Sequence, residues 1–528
     1  MYTEVFLGLL ALAALYRFCT RSSVYWTNRG VKQRLQLPFF GENLRTILKL
    51  ECFADMVQRL YRQFPNERYS GFFQFNTPML LVRDPELIKQ ITIKDFDHFV
   101  DHRALVPENI DPIWARNLFS LTGQKWRDLR PVLSPSFTSR KLKDMFGLMS
   151  DSAENFVDYF LKKKEDVIEL ELKDTFTKYA VDIIATTAYG IKTDSLNDPE
   201  NDFFLMSKQT SSIFNGLRFF LTFVLPTCIV RFFNVTLVST KLRNFFLSLV
   251  EDSIRIREEK NIVRPDMIHL LMEAKKGVLK YEEDKEIVDG FSTVKESDIG
   301  KQIRSKIELT NMDIASQAFI FFLGGFDTSA SLMCFLGYEL AAHQEIQKKL
   351  REEVRATLRE CNGSVTYDAL LKMKYFDMVF SETLRKWTGG FVGDRVCTKP
   401  YTIQPELPGE VPVHIKQGEI IWIPVIGIHK DPQYYPDPEK FDPERFSDEN
   451  IGDIKPYTYL PFGSGPRNCI GSRFAILEAK TVYFHLLSKF EIVPVGKSQI
   501  PVKLARGSVT LFSEGGFWFG LKALPSGV

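Results

Sequence analysis

The sequence predicts a mainly α chain with small β-sheets, an α+β fold, and three observations support this. Two segments, Phe376 to Lys386 and Met312 to Leu340, carry apolar residues at helical spacing with few breakers. Short β-like runs stand at Leu80-Leu81-Val82 and at Glu419-Ile420-Ile421-Trp422-Ile423-Pro424. From Asp431 to Phe446 the chain is rich in Pro and Asp, which reads as irregular backbone. Strand therefore comes early, helices fill the middle and loops come late, with no internal repeat.

The chain has 528 residues, 45% hydrophobic and 25% charged, an ordinary globular composition with enough apolar residues for a large core. No Gly/Ser/Pro-rich linker divides it. A net charge of +2 makes no case for a nucleic-acid partner. The seven cysteines are odd in number, scattered, and without metal-ligand spacing. That argues against a disulfide framework and for a reducing compartment. Residues 1–24 read as a membrane anchor. Val5 to Tyr16 is apolar, and Arg17, Arg21, Arg29, Lys32 and Arg34 follow it, which keeps the body cytoplasmic. The apolar stretch is shorter than the roughly 20 residues of a comfortable span. A cleaved signal peptide is the competing reading, but there is no basic n-region. A charged stretch from Lys280 to Lys306 reads as a solvated connection.

Near the C-terminus stands Phe462-Gly463-Ser464-Gly465-Pro466-Arg467-Asn468-Cys469-Ile470-Gly471, followed at once by a helical pattern. The glycines allow a cramped loop with φ > 0. Backbone N–H groups and a helix N-terminus favour an anionic sulfur. One thiolate offered from a rigid loop suits a metal. The segment resembles the haem-ligand signature of the cytochrome P-450 family in all ten residues. The resemblance runs from about residue 25 to the end and implies one haem-thiolate domain over 25–528. Cys469 is then the axial ligand of a haem b iron, with Phe462, Arg467 and Gly471 against the cofactor.

Other motifs join it. Gly324-Gly325-Phe326-Asp327-Thr328-Ser329 places two glycines, a carboxylate and a hydroxyl in a greasy helix. Each mid-helix glycine costs about 1 kcal/mol relative to Ala, so a kink, tight packing or room for a ligand should offset it. The segment resembles the family's oxygen-activating helix, which implies Thr328 as the proton-delivery hydroxyl and Asp327 as its acidic partner. Glu382 and Arg385, three apart, share a helix face. They resemble the family's Glu-x-x-Arg, with Arg445 of Phe441-Asp442-Pro443-Glu444-Arg445-Phe446 as third member of a structural cluster bracing the loop. Trp126 and Arg130, four apart, resemble the pair that holds a haem propionate. Arg395 and Arg467 would add cations, and Arg103 is a weaker candidate. Most relatives carry a proline after Arg385-Lys386-Trp387, whereas here Thr388-Gly389-Gly390 follows, which predicts a looser or roomier pocket wall. Leu217 to Phe233, apolar and broken by Pro226, reads as a surface that dips into a membrane. The Gly515-Gly516-Phe517-Trp518-Phe519-Gly520 tail reads as a hairpin tip reaching the pocket.

The resemblance is strongest to animal microsomal members, and the Arg-Lys-Trp run and glycine-aromatic tail look closest to insect ones of the branch shared with vertebrate drug-oxidising enzymes. It implies a monooxygenase at the cytoplasmic face of the endoplasmic reticulum membrane. NADPH electrons would arrive through NADPH-cytochrome P-450 reductase, with cytochrome b5 as a further partner and lipophilic small molecules as substrates. Basic residues Lys125, Arg127, Arg140, Lys141 and Lys143 offer a docking surface for the acidic reductase. A peroxide-rearranging isomerase is the alternative, and such members tend to lack the acid–Thr pair. A haem sensor or ligand-binding protein is a third reading, which the proton-relay residues and the anchor oppose.

Overall fold

A computed structural model describes residues 24–525, apart from 35, 36, 38, 215, 216, 226, 265 and 277–307, together with Phe6 and Tyr16. The predicted anchor and the Lys280–Lys306 connection lie outside the described residues, apart from isolated positions in the anchor.

The body begins on Trp26, fully buried with its indole against the bare backbone of Gly71. A four-stranded sheet follows, in the order Tyr69–Gln74, Thr77–Val82, Ile420–Ile423, Gly393–Val396. Its first two strands form an antiparallel hairpin. The third runs parallel to the second, pairing Leu80 with Ile421, although some 340 residues separate them in sequence. Both predicted β runs therefore lie side by side. A three-stranded sheet brings Val167–Glu171 and Phe490–Pro494 to either side of Trp518–Ala523, and Tyr401–Ile403 pairs with Val413–Ile415.

Helices make up the rest of the core. The longest, Asn311–Ala342, starts at a capping box in which Thr310 Oγ1 accepts from Asp313 N–H while the Asp313 carboxylate accepts from Thr310 N–H. It is the one described helix long and apolar enough to cross a membrane, yet it runs through the middle of the protein. It packs on Leu172–Ile184 and against Ser472–Lys489, the helix that follows the cysteine loop. The helix stays continuous through its glycine pair. The two glycines do different work. A Cβ on Gly325 would stand 2.6 Å from Ile184 Cδ1, so this glycine lets two helices close up. A Cβ on Gly324 would meet nothing within 4 Å, because that position faces a cavity.

Candidate active site

The cysteine loop is held by its own backbone. Gly463 N–H donates to Leu460 O at 3.1 Å and Cys469 N–H donates to Phe462 O at 2.9 Å. Gly463 and Gly465 both have positive φ, at 78° and 73°. At Gly465 the requirement is absolute, since a Cβ would lie 1.9 Å from Thr92 O. The loop can thus press flat against the Gln90–Lys94 segment while turning Cys469 the other way. Cys469 keeps accessible surface, and that surface opens onto the cavity. Burial pushes its pKa up, opposed by the Gly471 backbone and the Arg130 charge. A metal there would displace the proton.

The cavity measures about 540 Å³, inside the range of roughly 300–1,000 Å³ common for small-molecule sites. Cys469, Phe462 and Gly471 line it from the loop, and Asp327 and Thr328 from the long helix. Trp126, Arg130, Arg395 and Arg467 line it as well. Nine sequence-predicted residues from four parts of the chain therefore surround one space. The walls between them are largely hydrocarbon, among them Ile320, Phe321, Leu332 and Phe335.

The arginines gather near two carboxylates, Asp394 beside Arg395 and Asp101, whose Oδ1 stands 3.7 Å from Arg467 Nη2. Arg130 donates to Asn468 Oδ1 at 2.9 Å and to Asn468 O at 3.2 Å, so it also ties the Gly123–Leu133 helix to the loop beside Cys469. Arg467 donates to carbonyls of Val100, Leu118 and Leu121 and lies over the Trp126 ring at 4.2 Å. Arg395 donates to the Asp394 and Ser464 carbonyls, and its buried Nε has no partner in the structure. Burial lowers the pKa of Arg395 to about 10 and that of Arg467 to about 9, the latter aided by repulsion from Arg395. Burial thus outweighs the counter-charge that Asp394 and Asp101 supply. A largely apolar cavity, a thiol facing into it, and buried guanidinium groups with an orphaned donor fit a flat apolar ring bearing a metal and anionic substituents. These residues fit haem.

Other predicted residues have different neighbours. Arg103 donates to Gln74 Oε1 at 2.7 Å and lies over Phe223 at 4.8 Å, so its guanidinium ties the first sheet to the Leu217–Val224 helix. Thr328 Oγ1 donates to Gly324 O at 2.6 Å, one turn back along its helix. Asp327 takes a salt bridge from Lys173 Nζ at 3.0 Å and a long bond from Ser211 at 3.4 Å. Lys173 also donates to Asp327 O and Ser331 Oγ, which explains how a carboxylate is accommodated in an apolar helix. Glu382 and Arg385 lie outside the cavity and are fully buried, joined by two bonds of 2.7 and 2.8 Å. Arg445 Nε stands 3.6 Å from Glu382 Oε1, and Asp442 N–H donates to the same oxygen at 2.9 Å.

At the unusual Thr388-Gly389-Gly390 segment, added Cβ atoms on Gly389 and Gly390 would meet nothing closer than Pro461 O at 3.8 Å, and both glycines line the cavity. The wall there is bare backbone. Just before it, Trp387 is pinned, with Nε1 donating to Glu339 Oε1 at 2.6 Å and the indole stacked on Phe335 at 4.5 Å. The C-terminal tail corrects one expectation. Trp518 to Gly520 belong to a strand, and the tail residues that line the cavity are Thr510 and Leu511. The strand register pairs Phe519 and Gly520 within the sheet, and neither lines the cavity.

Sequence reasoning missed His102, which lines the cavity, stacks on Phe119 at 4.6 Å and shares a 2.9 Å contact with Asp394 Oδ1. It also missed Lys173 and Asp394. His102 and Asp394 stand next to the predicted Arg103 and Arg395 in sequence, Lys173 is far from any motif, and only long-range packing shows what each one meets.

The family model for cytochrome P450 matches residues 33–518. The chain is 41% identical to cytochrome P450 9e2 of Blattella germanica, over 96% of this chain and 95% of that one. It is 40% identical to probable cytochrome P450 9f2 of Drosophila melanogaster, over 98% of each. With cytochrome P450 6k1 of Blattella germanica the identity is 36%, over 97% of this chain and 95% of that one. Full-length matches to insect proteins, a thiol facing an apolar cavity and an arginine-rich edge lead to one conclusion: the chain belongs to the cytochrome P450 family of haem-iron monooxygenases.

Proposed function

We propose that this monooxygenase inserts one oxygen atom from O2 into lipophilic small molecules, either xenobiotics such as plant compounds and insecticides or endogenous lipophiles. The observation that carries the reading is the shared cavity, in which Cys469 and Thr328 face one apolar space. Cys469 would be the iron's thiolate ligand. Trp126, Arg130, Arg395 and Arg467 would hold the carboxylates of haem b, and Phe462 and Gly471 would pack against it. Bound haem iron supplies oxygen activation. The chain's own contribution is positional and protonic. The apolar walls favour greasy substrates and exclude bulk water. Thr328 donates its hydrogen to Gly324 O, which leaves its oxygen free to accept a hydrogen bond. To relay a proton it would release that bond and pass its own hydrogen into the cavity as it accepts another. Asp327, tethered by Lys173, is the acidic group next to it.

Electrons would come from NADPH through the flavoprotein reductase, with cytochrome b5 as a further donor. Of the basic residues offered for docking, Lys125, Arg127 and Lys143 already pair with Glu108, Asp97 and Asp368. These are surface pairs of the kind that contribute only about 0–1 kcal/mol, so an acidic partner can compete for them. The protein would sit on the cytoplasmic face of the endoplasmic reticulum membrane, anchored by 1–24, with 25–528 as one haem domain. Exposed Phe232 and Phe233, at the end of the Thr227–Phe232 helix, support a lipid-facing surface there.

The test is reconstitution with reductase and a panel of lipophilic compounds, scoring ligand-induced haem spectral shifts and hydroxylated products. NADPH-dependent product is the expected result. Turnover of a hydroperoxide without NADPH would favour the isomerase instead. Thr328→Ala should lower product formed per NADPH consumed by roughly tenfold or more, and unchanged coupling would remove Thr328 from the relay.

A further inference from the structure

We propose that His429 is the positioning residue that couples the Glu382–Arg385–Arg445 cluster to the thiolate loop, setting the loop's entry point and so the place of Cys469. His429 ends the Val425–His429 helix and is completely buried. All its polar atoms are engaged. Arg385 Nη1 donates to His429 O at 2.7 Å, and His429 Nδ1 lies 3.1 Å from Arg385 O. The two residues therefore grip each other by both backbone and side chain. On the far side of the ring, Leu460 N–H donates to His429 Nε2 at 2.8 Å. That bond settles the tautomer: Nε2 is the acceptor, so Nδ1 carries the hydrogen and donates to Arg385 O. The ring is also stacked on Tyr459, with centroids 5.6 Å apart and planes at 17°.

Leu460 is where the cysteine loop begins. Its carbonyl closes the first turn by accepting from Gly463 N–H, and Phe462 O accepts from Cys469 N–H. A line of bonds, buried as far as Leu460, thus runs Glu382, Arg385, His429, Leu460, Gly463, with Phe462 and Cys469 closing the loop. The side-chain cluster itself does not line the cavity, and Arg385 reaches the loop through this imidazole. Burial, together with the adjacent Arg385 charge, lowers the pKa of His429 to about 3. The ring therefore stays neutral and keeps its acceptor at any physiological pH.

The proposal rests on Cys469 being the iron ligand, and the test separates the two. Two near-isosteric replacements divide the ring's bonds between them. His429→Gln places an amide oxygen near Nε2, where it can accept from Leu460 N–H. His429→Asn keeps a donor near Nδ1 for Arg385 O but loses Leu460. The haem-loaded full chain is followed by the reduced, CO-bound absorption band of thiolate-ligated haem as it decays on mild heating, and by its denaturant midpoint. His429→Gln should stay within about twofold of the wild-type decay rate, and His429→Asn should decay roughly tenfold faster, the effect of one unsatisfied buried N–H. The two variants should share a denaturant midpoint. Equal decay in both variants, whether fast or slow, would overturn the proposal while leaving Cys469 in place. A wild-type chain without the thiolate band, unaltered by Cys469→Ala, would overturn the ligand assignment and the proposal together.

Discussion

Gly465 has room for a hydrogen and nothing larger. Its φ of 73° and the 1.9 Å approach of Thr92 O to a notional Cβ act together. Gly463, with φ 78°, has no atom nearer than Asn468 Cα at 3.9 Å, so a side chain there meets only backbone strain. Gly463→Ala should therefore cost about 1–2 kcal/mol. Gly465→Ala should cost more, because it also forces the loop off the Gln90–Lys94 segment, and it should weaken thiolate ligation. Thermal melting and the CO-bound spectrum of the two variants check this ordering. Equal losses would mean that the contact with Thr92 is not what the glycine serves. The motif makes both glycines visible in the sequence, but it cannot rank them. The ranking depends on a carbonyl more than 370 residues away along the chain.

At the scale of elements, the fully buried Glu382–Arg385 pair of the Lys374–Lys386 helix is joined to the segment near 437–446 through Pro438 O, Asp442 N–H and Arg445. Removing one member leaves its partner buried and unpaired. Glu382→Ala should cost about 3–5 kcal/mol, read as a shift in denaturant midpoint. Arg445→Ala should cost less, since its side chain is 13% exposed and stands 3.6 Å from the carboxylate, while Arg385 is 0% exposed and bonded twice. A larger loss from Arg445→Ala would reverse this reading of the cluster. The long helix shows how element-scale function is split between neighbours: Gly325 serves packing on Ile184, and Gly324 opens onto the cavity. Helical periodicity marks both as interruptions. Only the position of the second helix tells them apart.

For the whole molecule, buried histidines contribute a loss of stability toward acid that buried carboxyl groups such as Glu478 oppose. Burial, aided by neighbouring positive charge, lowers the pKa of His429 to about 3 and that of His485 to about 4. Both lie below the ordinary value of 6.5. Unfolding lets each bind a proton that the native state refuses. Stability is therefore complete above pH 6.5 and declines as pH falls below it, by roughly 1.4 kcal/mol per unit for each group. His343 runs the other way, because Glu339 raises its pKa, and it offsets part of the loss. The net slope is a balance, because burial pushes the Glu478 carboxyl up to about 8, so that it gains stability toward acid. As read by denaturant midpoints between pH 7.5 and 5, His429→Gln should remove one group's share, roughly 1.4 kcal/mol per unit, from the loss below pH 6.5. An unchanged slope in the variant would show that His429 is protonated in the native state. Nothing in the sequence distinguishes these histidines from surface ones, since their environment is assembled by distant elements.

The sequence by itself carried the family resemblance at Cys469 and with it the expectation of a thiolate ligand there. The loop needs only local features, namely a thiol, glycines with positive φ and a helix start, and these occupy ten consecutive residues. It also marked two of the helices, Asn311–Ala342 and Lys374–Lys386, through apolar spacing, and the residue types for an acid–hydroxyl pair and a Glu–Arg pair. Tertiary structure alone decided what those residues meet. It placed Lys173 on Asp327, His102 beside Asp394, His429 between Arg385 and Leu460, and Thr510 with Leu511 at the cavity in place of the predicted glycine tip. The physical reason is reach. Backbone conformation and periodicity act over a few residues, whereas a buried charge or an imidazole takes its role from partners that folding brings from anywhere in the chain.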